Sequence, residues 1–327
     1  MIQPIIGIDI AKETFDVCLI LDEKNWNAHF ENNLTGFEKL LHWAKGKGAA
    51  NGHVCMEATG QYGDGLAEFI FKQGWQVSVV NPARIKAYAG SKLRRNKTDK
   101  ADAQLIAEYC LREKPALWSP PPASFKELQA LVRRLDDLQA NFLQENNRLK
   151  SGGKCQVVQE DIIGHIAFLE RNIEQIKKAI QDHINSHPDL KQRKELLTSI
   201  PGIGDLTAAK VLGEIRDVCD FEDARQLAAY AGLTPRNFIS GTSVHKKSRL
   251  SKMGNSNLRK ALYMPAIVAM KCNPIIREFY QRLIMSGLRK MEAIGAAMHK
   301  LLRLIFGILK SGSPFDPKYL EKRAYAY

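Results

Sequence analysis

The sequence predicts an α/β amino-terminal domain with a mixed sheet, a helical coiled-coil segment, and a mainly α carboxy-terminal domain. Three observations carry this reading. Over about the first 115 residues, short β-branched runs alternate with stretches of helical periodicity. Between Leu128 and Ile180, leucine and isoleucine recur at three- and four-residue spacings. Beyond residue 190 the pattern is helical and basic. The corresponding divisions are residues 1–117, 118–190 and 191–327.

Residues 5–10 and 53–56 are crowded with β-branched and small side chains, which suit a pleated, buried surface, so both read as strands. Residues 16–21 read as a hairpin partner of the first, and residues 28–31 as a weaker strand. Helices are expected over 36–45, 64–73 and 97–111, with a strand over 75–80. Three hairpin-type strands followed by strand and helix alternation fit a ribonuclease-H-like mixed sheet flanked by helices. Residues 118–123 contain three consecutive prolines, which cannot continue a helix, and mark the exit from this domain.

After that linker, Leu128, Leu131, Leu135, Leu138, Phe142 and Leu149 form one apolar seam, and Ile166, Leu169, Ile173, Ile176 and Ile180 form a second. Such seams are buried either in a helical hairpin within one chain or in a coiled coil between subunits. Residues 200–212 read IPGIGDLTAAKVL, a tight turn between two short helices that resembles a helix-hairpin-helix. Its glycines, Gly202 and Gly204, would let backbone N–H groups approach a phosphate, although packing alone also requires such a turn.

Four acids stand out against this background. Asp9 and Glu57 each end an apolar run, and Asp99 and Asp102 lie three apart at the start of a helical pattern, hence on one face. Any one of them would serve as a strand-end cap or a surface ion-pair partner. Four carboxylates gathered in a chain of formal charge +13 instead suggest a hard divalent cation, Mg²⁺ or Mn²⁺.

The excess of 48 Lys and Arg over 35 Asp and Glu favours a polyanionic partner, with nucleic acid foremost. No run of about 18 apolar residues and no amino-terminal leader pattern is present, so a membrane is not expected and the reading is cytoplasmic. The six cysteines lack metal spacing and read as reduced core thiols.

Residues 236–260 contain seven Lys or Arg and no acid, in a Gly-, Ser- and Asn-rich stretch read as a phosphate-facing loop leading into a helix near Ser256. Ser240-Gly241-Thr242-Ser243 offers hydroxyls beside fixed positive charge. A serine is a weak nucleophile unless cations or a metal-bound phosphate assist it, and serine is common in loops. Candidate nucleic-acid contacts are Arg94, Arg95, Lys97, Gly202, Gly204, Arg236, Lys246, Lys247, Arg249, Lys252 and Arg259.

GIDIAKETFDV around Asp9, EATG at Glu57, NKTDKADA around Asp99 and Asp102, then SIPGIG, AGLTPR, SGTS and GNSNLRKALYMPA occur in that order. Together, from about residue 5 to Asp316, they resemble the DEDD insertion-sequence transposases, the RuvC-like, Piv-type serine recombinases guided by a bridge RNA. The resemblance implies a RuvC-like domain holding Mg²⁺ through Asp9, Glu57, Asp99 and Asp102. It also implies a transposase domain whose serine, matched by Ser240, attacks a DNA phosphodiester and becomes covalently joined to it, with Ser243 as a fallback. It further implies a homo-oligomer, two dimers forming a tetramer, with acids and serine contributed by different subunits. A noncoding bridge RNA would pair with both target and donor DNA. The alternative on the same acids is a Mg²⁺-dependent RuvC-like junction nuclease that activates water.

Overall fold

The computed structural model describes residues 3–58, 60–92, 98–152, 155–240 and 244–317. The chain divides into two compact units, Met1–Pro120 and Pro121–Tyr327.

The first unit is built on β1 (Ile5–Ile10), β2 (Thr14–Leu21), β3 (Lys24–Glu31), β4 (His53–Glu57) and β5 (Gln76–Val80), in the sheet order β3-β2-β1-β4-β5. β1, β2 and β3 pair antiparallel, whereas β1, β4 and β5 run parallel. β3 begins earlier than the sequence suggests. Leu21 pairs with Lys24 across a two-residue turn whose members, Asp22 and Glu23, both have positive φ (46° and 64°). That conformation matches the strand twist, and no Asn-Gly or Asp-Gly signal announces it.

α1 (Leu34–Gly46), α2 (Asp64–Lys72), α3 (Pro82–Ser91) and α4 (Asp99–Glu113) flank the sheet. α3 was not expected from periodicity; Pro82 at its first turn and the Asn81 side chain accepting from the Ala83 N–H start it. The two faces of β1 have different neighbours. Ile6, Ile8 and Ile10 share a core with Phe37 and Leu40 of α1 and Leu66 and Ile70 of α2. Ile5 shares the opposite core with Cys55 of β4 and with Ala103, Ile106, Ala107 and Cys110 of α4. Burial on both faces explains why β1 reads as a continuous apolar run.

The second unit contains α5 (Ala123–Ser151), α6 (Gln156–Ser186), α7 (Pro188–Thr198), α8 (Asp205–Glu214), α9 (Ala224–Tyr230), α10 (Ser256–Cys272), α11 (Pro274–Met285) and α12 (Lys290–Ser311). Leu128, Leu135, Leu138, Leu169, Ile173 and Ile180 are buried in the core shared by this unit, so the seams pack α5 and α6 into a hairpin within the chain. The expected basic loop is instead an antiparallel hairpin of β6 (Pro235–Ser240) and β7 (Val244–Leu250). Phe238, Ile239 and Val244 are strand formers whose signal is diluted by the surrounding Gly, Ser and Lys.

The cysteine expectation holds in part. Cys18, Cys55 and Cys110 are buried, but Cys155, Cys219 and Cys272 are exposed, and all six are free thiols. Among the described residues, no helix is long and apolar enough to cross a membrane.

Candidate active site

The parallel register of β1 and β4 matches Gly7 to Cys55 and Ile8 to Met56. One further step brings Asp9 beside Glu57 on neighbouring strands about 5 Å apart, both on the face that carries Gly7 and Cys55. α4 covers that face. A Cβ on Gly7 would clash with the backbone N–H of Ala107 and the carbonyl of Ala103, so helix and strand meet main chain to main chain. Only glycine permits this approach.

α4 runs opposite to the two strands. Cys110 and Leu111 in its last turn and Lys114 just beyond it line a cavity of about 490 Å³ with Gln3, Ile5 and His53 at the amino-terminal ends of β1 and β4. Its first turn therefore lies towards their carboxy-terminal ends, where Asp9 and Glu57 stand. Asp99, Ala103 and Ala107 form one stripe at four-residue spacing, placing Asp99 about 6 Å along the helix from Ala103 and about 12 Å from Ala107, the two residues that meet Gly7. Asp102 begins the adjacent stripe ending at Cys110. The strand register and the direction of α4 thus put Asp9, Glu57 and the first turn of α4 towards the same end of the sheet.

Asp9, Glu57 and Asp102 are half-buried and Asp99 is exposed. The Thr98 side chain caps α4 by accepting from the Ala101 N–H at 3.2 Å, and acids in that first turn also complement the positive helix end. Among the described residues, no group of three or more His, Cys, Asp or Glu is arranged closely enough to hold a metal ion as it stands. Carboxylates are the kind of donor that suits Mg²⁺, but these are not closed into a ligand set.

Two residues at this end escaped the sequence reading. Asp16 of β2 lies directly opposite Asp9 and holds His29 at 3.0 Å. The Asn32 amide donates to the carbonyls of Ala11 and Tyr62, each at 3.0 Å, tying the loop after Asp9 to the segment after Glu57. The strand register marks the first; no local pattern marks the second. Behind Glu57, the buried Cys55 thiol is pushed far above its usual range by its hydrogen bond to Cys110, by burial and by nearby charge, so it stays protonated.

Ser240 belongs to the second unit. It is the last paired residue of β6, opposite Val244. Ser243, Arg94, Arg95 and Lys97 lie outside the described residues. Lys246, Lys247 and Arg249 lie along β7, and Arg236 pairs directly with Arg249.

Tyr230 and Asn255, in the segments that lead into and out of the hairpin, meet at a buried glutamate. Glu214, only 3% exposed, accepts from Arg133 Nε of α5 at 2.9 Å and from Asn255 Nδ2 at 2.7 Å. Asn255 caps α10 by accepting from the Asn257 and Leu258 N–H groups, and its own N–H donates to the Tyr230 carbonyl at 2.6 Å. Arg259 donates to the Ala231 carbonyl at 3.0 Å, which gives it a structural role at the other foot. Lys252 is exposed, in the left-handed region, and its N–H donates to the Gly232 carbonyl.

At the Pro-Gly-Ile-Gly turn, Gly202 has φ of 104° and lies against Ala269 of α10, so it is a packing glycine. Gly204 caps α8 and faces open space. The first turn of α8 already carries Asp205, paired with Lys194 at 3.2 Å.

Comparison with known proteins adds to this geometry. The DEDD_Tnp_IS110 family, described as a transposase, matches residues 6–152, and the "Transposase IS116/IS110/IS902 family" matches residues 194–281. The "Pilin gene-inverting protein" of Moraxella bovis is 37% identical over 324 residues, covering 98% of this chain and 100% of that protein. The "Transposase for insertion sequence element IS1111A" of Coxiella burnetii is 26% identical over 285 residues, covering 79% of this chain and 75% of its own length. The chain belongs to the IS110/IS116/IS902 family of transposases, enzymes that act on DNA.

Proposed function

We propose that this transposase cuts and rejoins DNA through a serine-linked intermediate, with Ser240 as nucleophile and a RuvC-like sheet whose Asp9, Glu57, Asp99 and Asp102 hold Mg²⁺ or Mn²⁺. A noncoding bridge RNA selects target and donor DNA. The observation that supports the proposal is that β1 and β4, which carry Asp9 and Glu57, are neighbouring parallel strands and that α4, whose first turn carries Asp99 and Asp102, packs on β1 at Gly7. Bound there, the ion would polarise a scissile phosphate and offset developing charge.

The chain's own groups do the rest. Ser240 stands at the tip of a basic hairpin, and Arg236, Lys246, Lys247 and Arg249 on its strands would bind the phosphate and spread transition-state charge. The serine oxygen forms a bond to phosphorus as the bond from phosphorus to a deoxyribose oxygen breaks; the serine proton is lost and the departing oxygen gains one. The phosphoserine ester keeps the energy of the broken bond. Rejoining then needs no nucleotide, consistent with the lack of a Walker-type glycine-rich loop.

The basic segments accompany no obvious base-reading module, and delegation of sequence choice to RNA pairing accounts for that. Subunit pairing, towards a dimer and then a tetramer, is assigned to the part of the α5–α6 hairpin where Leu143, Val157, Ile163 and Phe168 are exposed. The test of the whole reading is a denaturation-resistant protein–DNA adduct in the presence of RNA and Mg²⁺. Loss of the adduct in Ser240→Ala is expected, and cleavage that leaves only free ends would favour the water-activating nuclease.

A further inference from the structure

Outside the motifs described above, basic side chains crowd one aromatic ring on the α11–α12 pair. The Arg282 guanidinium of α11 lies 5.6 Å from the centre of the Phe279 ring, and the Lys300 ammonium of α12 lies 5.7 Å from the same centre. The ring attracts each cation, while the two cations repel one another. His299 and Arg303 flank Lys300 on α12.

Charge is unbalanced here. Burial, then the charges of Arg303 and Arg282, hold the Lys300 ammonium below the usual lysine value. Burial, then Arg303 and Lys300, lower the His299 imidazole in the same way. Among the described residues, none of these four side chains makes an ion pair within 4.0 Å. Asp223 feels the charge of Arg303, but its carboxylate is already engaged with the N–H groups of Gln226 and Arg225 at the start of α9.

The position of the cluster points to its occupant. A Cβ on Gly295 of α12 would come within 3.1 Å of Leu250, the last residue of β7. His299 and Arg303 follow Gly295 at four and eight residues, so the cluster starts about 6 Å along α12 from the foot of the basic hairpin. A nucleic-acid strand supplies regularly spaced negative charges that can run from one basic surface to the next.

We propose that Arg282, Lys300 and Arg303 form a binding surface for phosphodiester backbone, holding the nucleic acid that flanks the segment presented to the β6–β7 hairpin. The proposal rests on the functional reading above only for the class of occupant. Its test requires neither guide RNA nor cleavage, so the two can fail separately.

The experiment measures affinity of the full chain for labelled duplex DNA and double-stranded RNA of arbitrary sequence across a salt series. The cluster variant Arg282→Gln/Lys300→Gln is compared with Lys39→Gln/Lys45→Gln, which removes the same charge from α1 in the other unit. The cluster variant should bind about tenfold more weakly near 0.1 M salt, with a slope of log affinity against log salt about 2 units shallower, from roughly 0.9 per lost phosphate contact. The α1 variant should keep the wild-type slope, and Arg282→Lys/Lys300→Arg should restore it. Loss on DNA alone, RNA alone or both supports the surface and identifies its source. An unchanged slope in the cluster variant, or an equal fall in the α1 variant, would overturn it. Thermal melting of each variant checks that the fold is intact.

Discussion

Gly7 of β1 lies in main-chain contact with Ala107 of α4, and this contact sets where the acidic first turn of α4 comes to rest. The strand carries Asp9 two residues further on; the helix carries Asp99 two turns earlier. Gly7→Ala should therefore push α4 off the sheet. Overpacking of this kind costs about 1–3 kcal/mol, measurable by urea denaturation. Strand cleavage should fall by more than the unfolded fraction explains, because the acids separate.

The acids themselves are tested by isosteric change. Asp9→Asn, Glu57→Gln, Asp99→Asn and Asp102→Asn should each abolish cleavage in Mg²⁺ while leaving nucleic-acid affinity equal or slightly higher, since removing an acid from a basic surface does not weaken attraction to phosphate. Full cleavage by Asp102→Asn would remove that residue from the site.

A third prediction concerns Glu214 and Arg133. Truncating Glu214 to Ala removes the buried carboxylate that accepts from Arg133 and Asn255, at a cost of about 2–3 kcal/mol. A double-mutant cycle with Arg133→Met and Glu214→Gln should give a coupling of about 1 kcal/mol or more. Additive losses would mean that the pair does not anchor the hairpin feet.

The helical seam is separable into two parts. Leu135 and Ile173 are buried within the chain, so a charge at either should lower the melting temperature. Leu143→Lys and Ile163→Lys lie at exposed positions and should leave melting unchanged while reducing the oligomer seen by light scattering. An unaltered oligomer would place subunit pairing elsewhere.

Strand period and terminal carboxylates made the first unit readable from sequence: β1 and β4 announce themselves by their β-branched runs, and Asp9 and Glu57 by ending them. What was hidden depends on contacts distant in sequence. Nothing near Glu214 signals that Arg133 and Asn255 will meet it, and nothing near Asn32 signals its bonds to Ala11 and Tyr62. The β6–β7 hairpin was masked because basic and small residues outweigh its few strand formers. The helical seams were legible as seams, but periodicity alone does not say whether the partner helix lies in the same chain.

The central claim is that Ser240 becomes covalently bonded to DNA, and peptide mapping of the adduct tests it most directly. Wild-type protein incubated with DNA, the copurifying RNA and Mg²⁺ is denatured and digested, and the nucleotide-bearing peptide is sequenced by mass spectrometry. The linkage should fall on Ser240, Ser240→Ala should give no adduct while retaining DNA and RNA binding, and Ser243→Ala should retain some. Linkage at Ser243, or cleaved DNA with no protein attached in the wild type, would contradict the account.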